Sequence, residues 1–145
     1  MDISPDVKVK STINFGSVYY FVEDTFSSLE PHFFIAINTD PLNDAIVFLV
    51  CTQSKIKNVK GIRVNCPNET LVEITPSQYS ELKWNSIVDC NYVKEMSIEQ
   101  IVEKLSRNEL KIKPEMDAAI VSQLRNGVIL SPVVANRIKV LLQTD

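Results

Sequence analysis

The sequence predicts an α+β fold in which a small antiparallel β-barrel is followed by C-terminal helices. Short runs of β-branched and aromatic residues, separated by turn-forming residues, fill the first two thirds of the chain. Apolar residues at helical spacing take over near residue 97. The length of 145 residues fits one domain. We therefore expect a single domain, 1–145, with the barrel over about 14–95 and a helical extension over about 97–145.

Five segments have the composition of strands. The third, 45–52, is apolar on successive residues, which is typical of a strand that is buried on both faces. Gly16 opens the first segment, and Pro31 lies in the loop before the second. The predicted strands are 16–22, 33–38, 45–52, 71–75 and 86–90, and one turn of helix is expected at 77–82.

Three helices are predicted in the last third of the chain. Ser97 and Gln100 have the spacing of a capping box, and apolar residues follow them at helical intervals. Pro114 suits the first turn of a second helix, and Gly127 suits its C-terminal stop. Ser131, which a proline follows, suits the N-cap of a third helix. Their apolar stripes predict packing on the barrel or on a partner chain.

The composition excludes several classes of protein. A formal net charge of −3 excludes a polycation that coats nucleic acid, although it is compatible with a local basic patch. The three cysteines, Cys51, Cys66 and Cys90, form no CxxC pair and are atypical of a secreted disulfide framework. The longest apolar run is far shorter than the roughly 20 residues of a membrane span. We therefore expect a cytoplasmic protein, not bound to membranes, that uses no metal or cofactor.

One stretch of the chain is locally basic. Residues 51–68 contain four basic side chains and no acid, whereas residues 21–50 contain five acids and neither lysine nor arginine. Several cations on one loop can converge on a phosphate. The alternative is a solvated loop without a ligand. The candidate RNA- or phosphate-binding residues of this loop are Lys55, Lys57, Lys60 and Arg63, together with Ser54.

Two positions at strand ends are candidates for catalysis. His32, the single histidine, directly precedes the second predicted strand, and histidine is the side chain best suited to move protons near neutral pH. Thr52 ends the most apolar strand, and its hydroxyl and that of Ser54 can hold a phosphate oxygen. The alternatives are a surface histidine without a task and hydroxyls that only cap a turn.

The order of these parts resembles the PemK/MazF family of toxin endoribonucleases over roughly residues 14–106. The resemblance rests on Gly16-Ser-Val-Tyr, Phe33-Phe-Ile-Ala-Ile-Asn, Cys51-Thr-Gln-Ser-Lys and Leu82-x-x-x-Ser. It implies an SH3-like barrel, a homodimer, cleavage of single-stranded RNA without a metal, and inhibition by an antitoxin protein.

The resemblance also implies roles for individual residues. Thr52 matches a threonine of the family, but the chain has His32-Phe33 where the family has a catalytic arginine followed by proline. We expect His32 to act as general base on a ribose 2′-hydroxyl, or as acid toward the leaving 5′-oxygen. Thr52 and a lysine would hold the scissile phosphate, and the product would be a 2′,3′-cyclic phosphate.

Two other functions are compatible with the sequence. The missing arginine and the mild net acidity favour a non-catalytic SH3-like module that binds a protein segment. A structural subunit that dimerises through its C-terminal helices is a third interpretation. One fold hosts many functions, so the fold alone does not separate them.

Overall fold

The protein is built around an antiparallel sheet with helices on both faces. The computed structural model describes residues 3–144. The helices are α1 (Pro5–Thr12), α2 (Pro41–Asp44), α3 (Ile56–Ile62), α4 (Ile98–Ser106), α5 (Ala118–Leu130) and α6 (Asn136–Thr144). The strands are β1 (Val18–Phe21), β2 (His32–Ala36), β3 (Ile46–Gln53), β4 (Leu71–Ile74), β5 (Ser86–Asp89), β6 (Lys94–Ser97) and β7 (Leu110–Lys113).

The seven strands form one sheet in the order β4-β5-β3-β2-β1-β7, and β6 also pairs with β3. Every pairing is antiparallel. An α+β fold with an antiparallel sheet is therefore confirmed. The pairings among residues 3–144 leave β4 and β7 at the two ends of this order, so closure into a barrel stays a prediction.

Strand β3 is the centre of the sheet. One edge of β3 pairs with β2. Along the other edge, the first half of β3 pairs with β6, and Thr52 and Gln53 at its end pair with β5. Six of its eight residues are buried, from Val47 to Thr52. The sheet is covered on both faces at this strand, which confirms the burial predicted from its unbroken apolar run.

Two hydrophobic cores lie on opposite faces of the sheet. Alternation along β3 sends Phe48 and Val50 into a core with α5 and α6, and Leu49 and Cys51 into a core with α1 and α4. The apolar stripe of α4 packs into the second core, as predicted. Ser97 caps α4 with the predicted capping box.

The C-terminal third is less helical than predicted. β6 ends at Ser97, and β7 pairs with β1 along its whole length, so residues after 97 complete the sheet. The predicted helical extension over about 97–145 therefore also contains a strand, β7, that the sequence analysis does not predict. β7 is four residues long and its partner lies some ninety residues away, so local periodicity gives little sign of it.

The predicted ends of the last two helices are also wrong. α5 begins after Asp117, whose side chain accepts a hydrogen bond from the Ala119 N–H, and not at Pro114. Gly127 lies inside α5, where it allows close contact with Cys90. Ser131 forms a turn before α6.

Two further local predictions are corrected. The segment 77–82 forms hydrogen-bonded turns, and its Gln78 side chain accepts from the Thr75 N–H. The basic stretch expected as a loop contains α3. None of the helices in the described part of the chain is long and apolar enough to cross a membrane.

Candidate functional site

A cleft of about 510 Å³ opens where β3 ends. β2 begins at the same edge of the sheet, since it runs antiparallel to β3. The predicted residues His32, Thr52 and Ser54 all line this cleft, so the structure brings the strand-end candidates together. Lys83, Trp84 and Ser86, from the loop before β5 and the first residue of that strand, also line it.

Strand pairing fixes the position of Thr52. The residue lies between β2 and β5, opposite Val88, and is only 4% exposed. Its Oγ1 donates to the carbonyl oxygen of Phe33 at 3.5 Å, which is long for a hydrogen bond. The hydroxyl is therefore only weakly held by the protein, in a residue that lines the cleft.

Two serines add hydroxyl groups to the cleft. Ser54 is exposed, directly after the end of β3. Ser86 is buried, and its Oγ donates to the backbone carbonyl of Trp84 at 3.1 Å. The Ser86 proton is therefore already engaged, and Thr52 and Ser54 give the cleft two hydroxyls that can donate to an anion.

His32 is the first residue of β2, and its ring packs edge-on against Phe26 with centroids 5.3 Å apart. Side chains alternate along a strand, so His32 lies on the face of Phe34, whereas Thr52 lies on the face of Val50. Although both residues line the cleft, their side chains leave the sheet on opposite faces.

Burial lowers the pKa of His32 below its ordinary value, because desolvation disfavours the charged imidazolium. The backbone and carboxylate of Glu30 partly offset this effect. Nδ1 is buried and has no hydrogen-bond partner of good geometry within residues 3–144. The neutral ring that results at neutral pH is able to accept a proton.

The predicted basic residues do not act as one group. Lys60 forms an ion pair with Glu73, and Arg63 forms one with Asp89, each at 2.9 Å. Lys55 and Lys57 are exposed at the start of α3.

None of these four side chains lines the cleft; the lysine found there is Lys83. Sequence reasoning missed Lys83 because it is a lone lysine without a local pattern. Within residues 3–144, no group of three His, Cys, Asp or Glu side chains is placed to hold a metal ion.

A second cleft, of about 670 Å³, lies between β1, β6, α4 and β7. It shares Tyr20 and Pro31 with the first cleft, so the two adjoin. Sequence reasoning missed it because its walls come from distant segments. Its charges are mixed: Lys94, Lys104, Arg107 and Lys111 are balanced by Asp24, Glu95, Glu103 and Glu109.

Among solved structures, the fold is similar to that of an endoribonuclease in complex with its cognate antitoxin, from a mycobacterial species. The TM-score is 0.51 at 14% sequence identity, and the match covers 81% of this chain and 91% of that chain. At this identity the likeness concerns the fold alone. No protein-family model matches the sequence, and no curated protein does.

Proposed function

We propose that this protein is a toxin-like endoribonuclease of a toxin–antitoxin system that cleaves single-stranded RNA without a metal. The observation that carries the proposal is the cleft at the end of β3. In it, Thr52 and Ser54 supply hydroxyls beside the cation of Lys83. This combination suits a phosphodiester, which needs hydrogen-bond donors and positive charge around its oxygens. The fold shared with a solved endoribonuclease supports the same conclusion.

The proposed reaction is an internal displacement at phosphorus. The ribose 2′-oxygen forms a bond to phosphorus while the bond to the 5′-oxygen breaks. The proton of the 2′-hydroxyl passes to a base, and the 5′-oxygen takes up a proton as it leaves. The products are a 2′,3′-cyclic phosphate and a 5′-hydroxyl. Thr52 and Lys83 stabilise the negative charge that builds up on the phosphoryl oxygens.

His32 is the proposed general base. Its lowered pKa keeps the imidazole neutral at neutral pH, which suits a base better than an acid. The residue begins β2 at the edge of the sheet, where the cleft opens, and Nδ1 is buried. The proposal therefore requires Nε2 to reach the 2′-hydroxyl around this edge.

The proposal extends to partners and location. The endoribonuclease of similar fold was solved with its cognate antitoxin, which supports an antitoxin protein as partner here. Exposed apolar side chains at Leu130, Val133 and Val140 support a homodimer formed through the last two helices. Closure of the sheet into an SH3-like barrel and a cytoplasmic location belong to the same proposal.

A substitution at Thr52 tests the site. Thr52→Val keeps the shape of the side chain and removes the hydroxyl. We expect cleavage of single-stranded RNA to fall by about 10²–10³-fold, as is typical when one donor to a developing oxyanion is lost. Thr52→Ser is the matched control and retains most of the activity. Cleavage by Thr52→Val at the rate of the parent would contradict the proposed site.

A non-catalytic binding module is the second candidate, and two observations favour it. His32 and Thr52 project from opposite faces of the sheet, and the family arginine is absent. In that case His32→Ala has no activity to remove. Cleavage by the parent that His32→Ala abolishes, with RNA binding retained, would exclude this candidate.

A further inference from the structure

Trp84 stands at the cleft with most of its indole in solvent. It is the only tryptophan of the chain, and it is 69% exposed. Within residues 3–144 it makes no aromatic contact and no contact with a cation. A ligand that covers this side chain would remove its large apolar surface from water.

The loop around Trp84 is anchored at both ends. Leu82 is buried before it and Ser86 is buried after it. The Ser86 hydroxyl donates to the carbonyl oxygen of Trp84, which ties the backbone of the loop to β5. The indole therefore stands on a supported loop, so less ordering is needed when a ligand binds.

The groups next to Trp84 indicate which ligand it fits. Lys83 is exposed and forms no ion pair within the described residues, and the hydroxyls of Thr52 and Ser54 lie in the same cleft. An aromatic face beside a free cation and hydroxyl donors matches a nucleotide, in which a flat base adjoins an anionic phosphate. Two carboxylates also line the cleft: Glu81 is paired with Lys113 at 3.2 Å, and Glu30 is exposed.

We propose that Trp84 stacks on an unpaired base of single-stranded RNA in this cleft, while Lys83 contacts an adjoining phosphate. The proposal rests on the proposed function and names the groups that hold its substrate. Stacking on an aromatic side chain accepts any base and requires that the base be unpaired. Trp84 therefore contributes selection for single strands rather than for a sequence.

The lone tryptophan provides a direct assay of binding. We would titrate the full chain with a mixed-sequence oligonucleotide that is 2′-O-methylated throughout, because this probe lacks the nucleophile and stays intact. We expect the emission of Trp84 to be quenched. A blunt duplex of the same methylated sequence carries similar charge but hides its bases, and we expect it to leave the emission nearly unchanged.

Affinity is measured separately, through the anisotropy of the labelled single strand. We expect Trp84→Ala to weaken binding by about 5- to 150-fold, the range reported for loss of one stacked base. Trp84→Phe keeps an aromatic face and retains most of the affinity. Val7→Ala is the matched control, because Val7 is 53% exposed on α1 and does not line the cleft.

The outcomes separate this proposal from the proposed function. The stacking is overturned if the emission of Trp84 does not respond to the single strand, or if Trp84→Ala binds it with the affinity of the parent. Either result points to a protein segment as the ligand of the indole. If the parent nevertheless cleaves unmodified RNA, the proposed ribonuclease activity is still supported. Quenching with no cleavage by the parent supports the stacking and overturns the nuclease.

Discussion

His32 makes a prediction about pH that follows from its surroundings. Burial lowers its pKa below the ordinary 6.5, so the imidazole is already mostly neutral at pH 6.5. If it is the general base, kcat/KM for RNA reaches a plateau at high pH and falls as the pH drops through a midpoint below 6.5. A pH–rate profile measures this. A rate that instead rises on acidification through this range would show that His32 acts as an acid or not at all.

The same shift predicts a dependence of stability on pH. Because the pKa is lower in the folded chain, the unfolded chain takes up the proton first as pH falls. The contribution of the neutral His32 side chain to the free energy of unfolding is complete above about pH 6.5. It is lost as the pH falls through the pKa of His32 in the folded chain. We expect His32→Gln to lose less stability than the parent between pH 7 and 5 in urea unfolding. Equal losses in the two proteins would contradict this.

Among individual residues, the sequence locates some members of the candidate site and not others. Thr52 and Ser54 were predictable because they end the most apolar strand, and the ends of strands mark the edge of a sheet. Lys83 and Trp84 were not, because they lie in a short loop whose place at the cleft depends on the pairing of β5 with β3. Whether His32 and Thr52 share a face was equally inaccessible, since it depends on strand register.

The glycines of α5 and α3 predict opposite effects on stability when each is replaced by alanine. A Cβ at Gly127 would lie 2.7 Å from the carbonyl oxygen of Glu69 and 2.9 Å from Sγ of Cys90. A Cβ at Gly61, in α3, meets nothing within 4 Å. We expect Gly127→Ala to destabilise the fold by about 1–3 kcal/mol through overpacking. Gly61→Ala should stabilise it by about 0.5–1 kcal/mol. Chemical unfolding of both variants measures this, and a stabilised Gly127→Ala would contradict the close packing.

Helix α3 makes a prediction about RNA binding under the proposed function. Lys55 and Lys57 are exposed near its start, whereas Lys60 is paired with Glu73. If the first two contact phosphates, replacing both with alanine reduces the slope of log K against log salt by up to about 1.4, that is, about 0.7 for each contact. Lys60→Ala, the matched control, changes the slope less. An unchanged slope in the double variant would remove α3 from the RNA interface.

The sequence predicts α4, which has a strong local signal, but not β6, β7 or α1. α4 carries a capping box and a regular apolar stripe, so its start is found at the right residue. β6 and β7 have four residues each and become strands only by pairing with β3 and β1. α1 was also missed, because Val9 is its one buried residue and so it has almost no apolar stripe.

A buried polar network joins the two halves of the molecule. Asn91 accepts from the Ser131 hydroxyl at 2.7 Å, and its amide donates to Thr70 at 2.9 Å and to Asp89 at 3.0 Å. Asp89 also pairs with Arg63 of the segment after α3. The network thereby connects β5 with the turn between α5 and α6. No single stretch of sequence contains it, so only the folded chain shows it.

Removing Asn91 is therefore expected to affect the whole molecule. Asn91→Ala leaves the buried Ser131 hydroxyl without its acceptor and removes the amide donor to Thr70 and Asp89, and losing one partner of a buried hydrogen bond costs about 1–3 kcal/mol. We expect a loss of about 3 kcal/mol in the free energy of unfolding. Asn43→Ala is the matched control, because the bond of Asn43 to Asp40 is exposed. Equal stability of the two variants in urea unfolding would show that the network contributes little.

Under the proposed function, the molecule as a whole cleaves single-stranded RNA without a metal. The most direct measurement incubates the full chain with mixed-sequence single-stranded RNA in excess EDTA and identifies the new ends. We expect the parent to make internal cuts that leave 2′,3′-cyclic phosphates and 5′-hydroxyls. We expect Thr52→Val and His32→Ala to make far fewer of these cuts. RNA that the parent leaves intact, or cuts that both variants make at the parental rate, would contradict it.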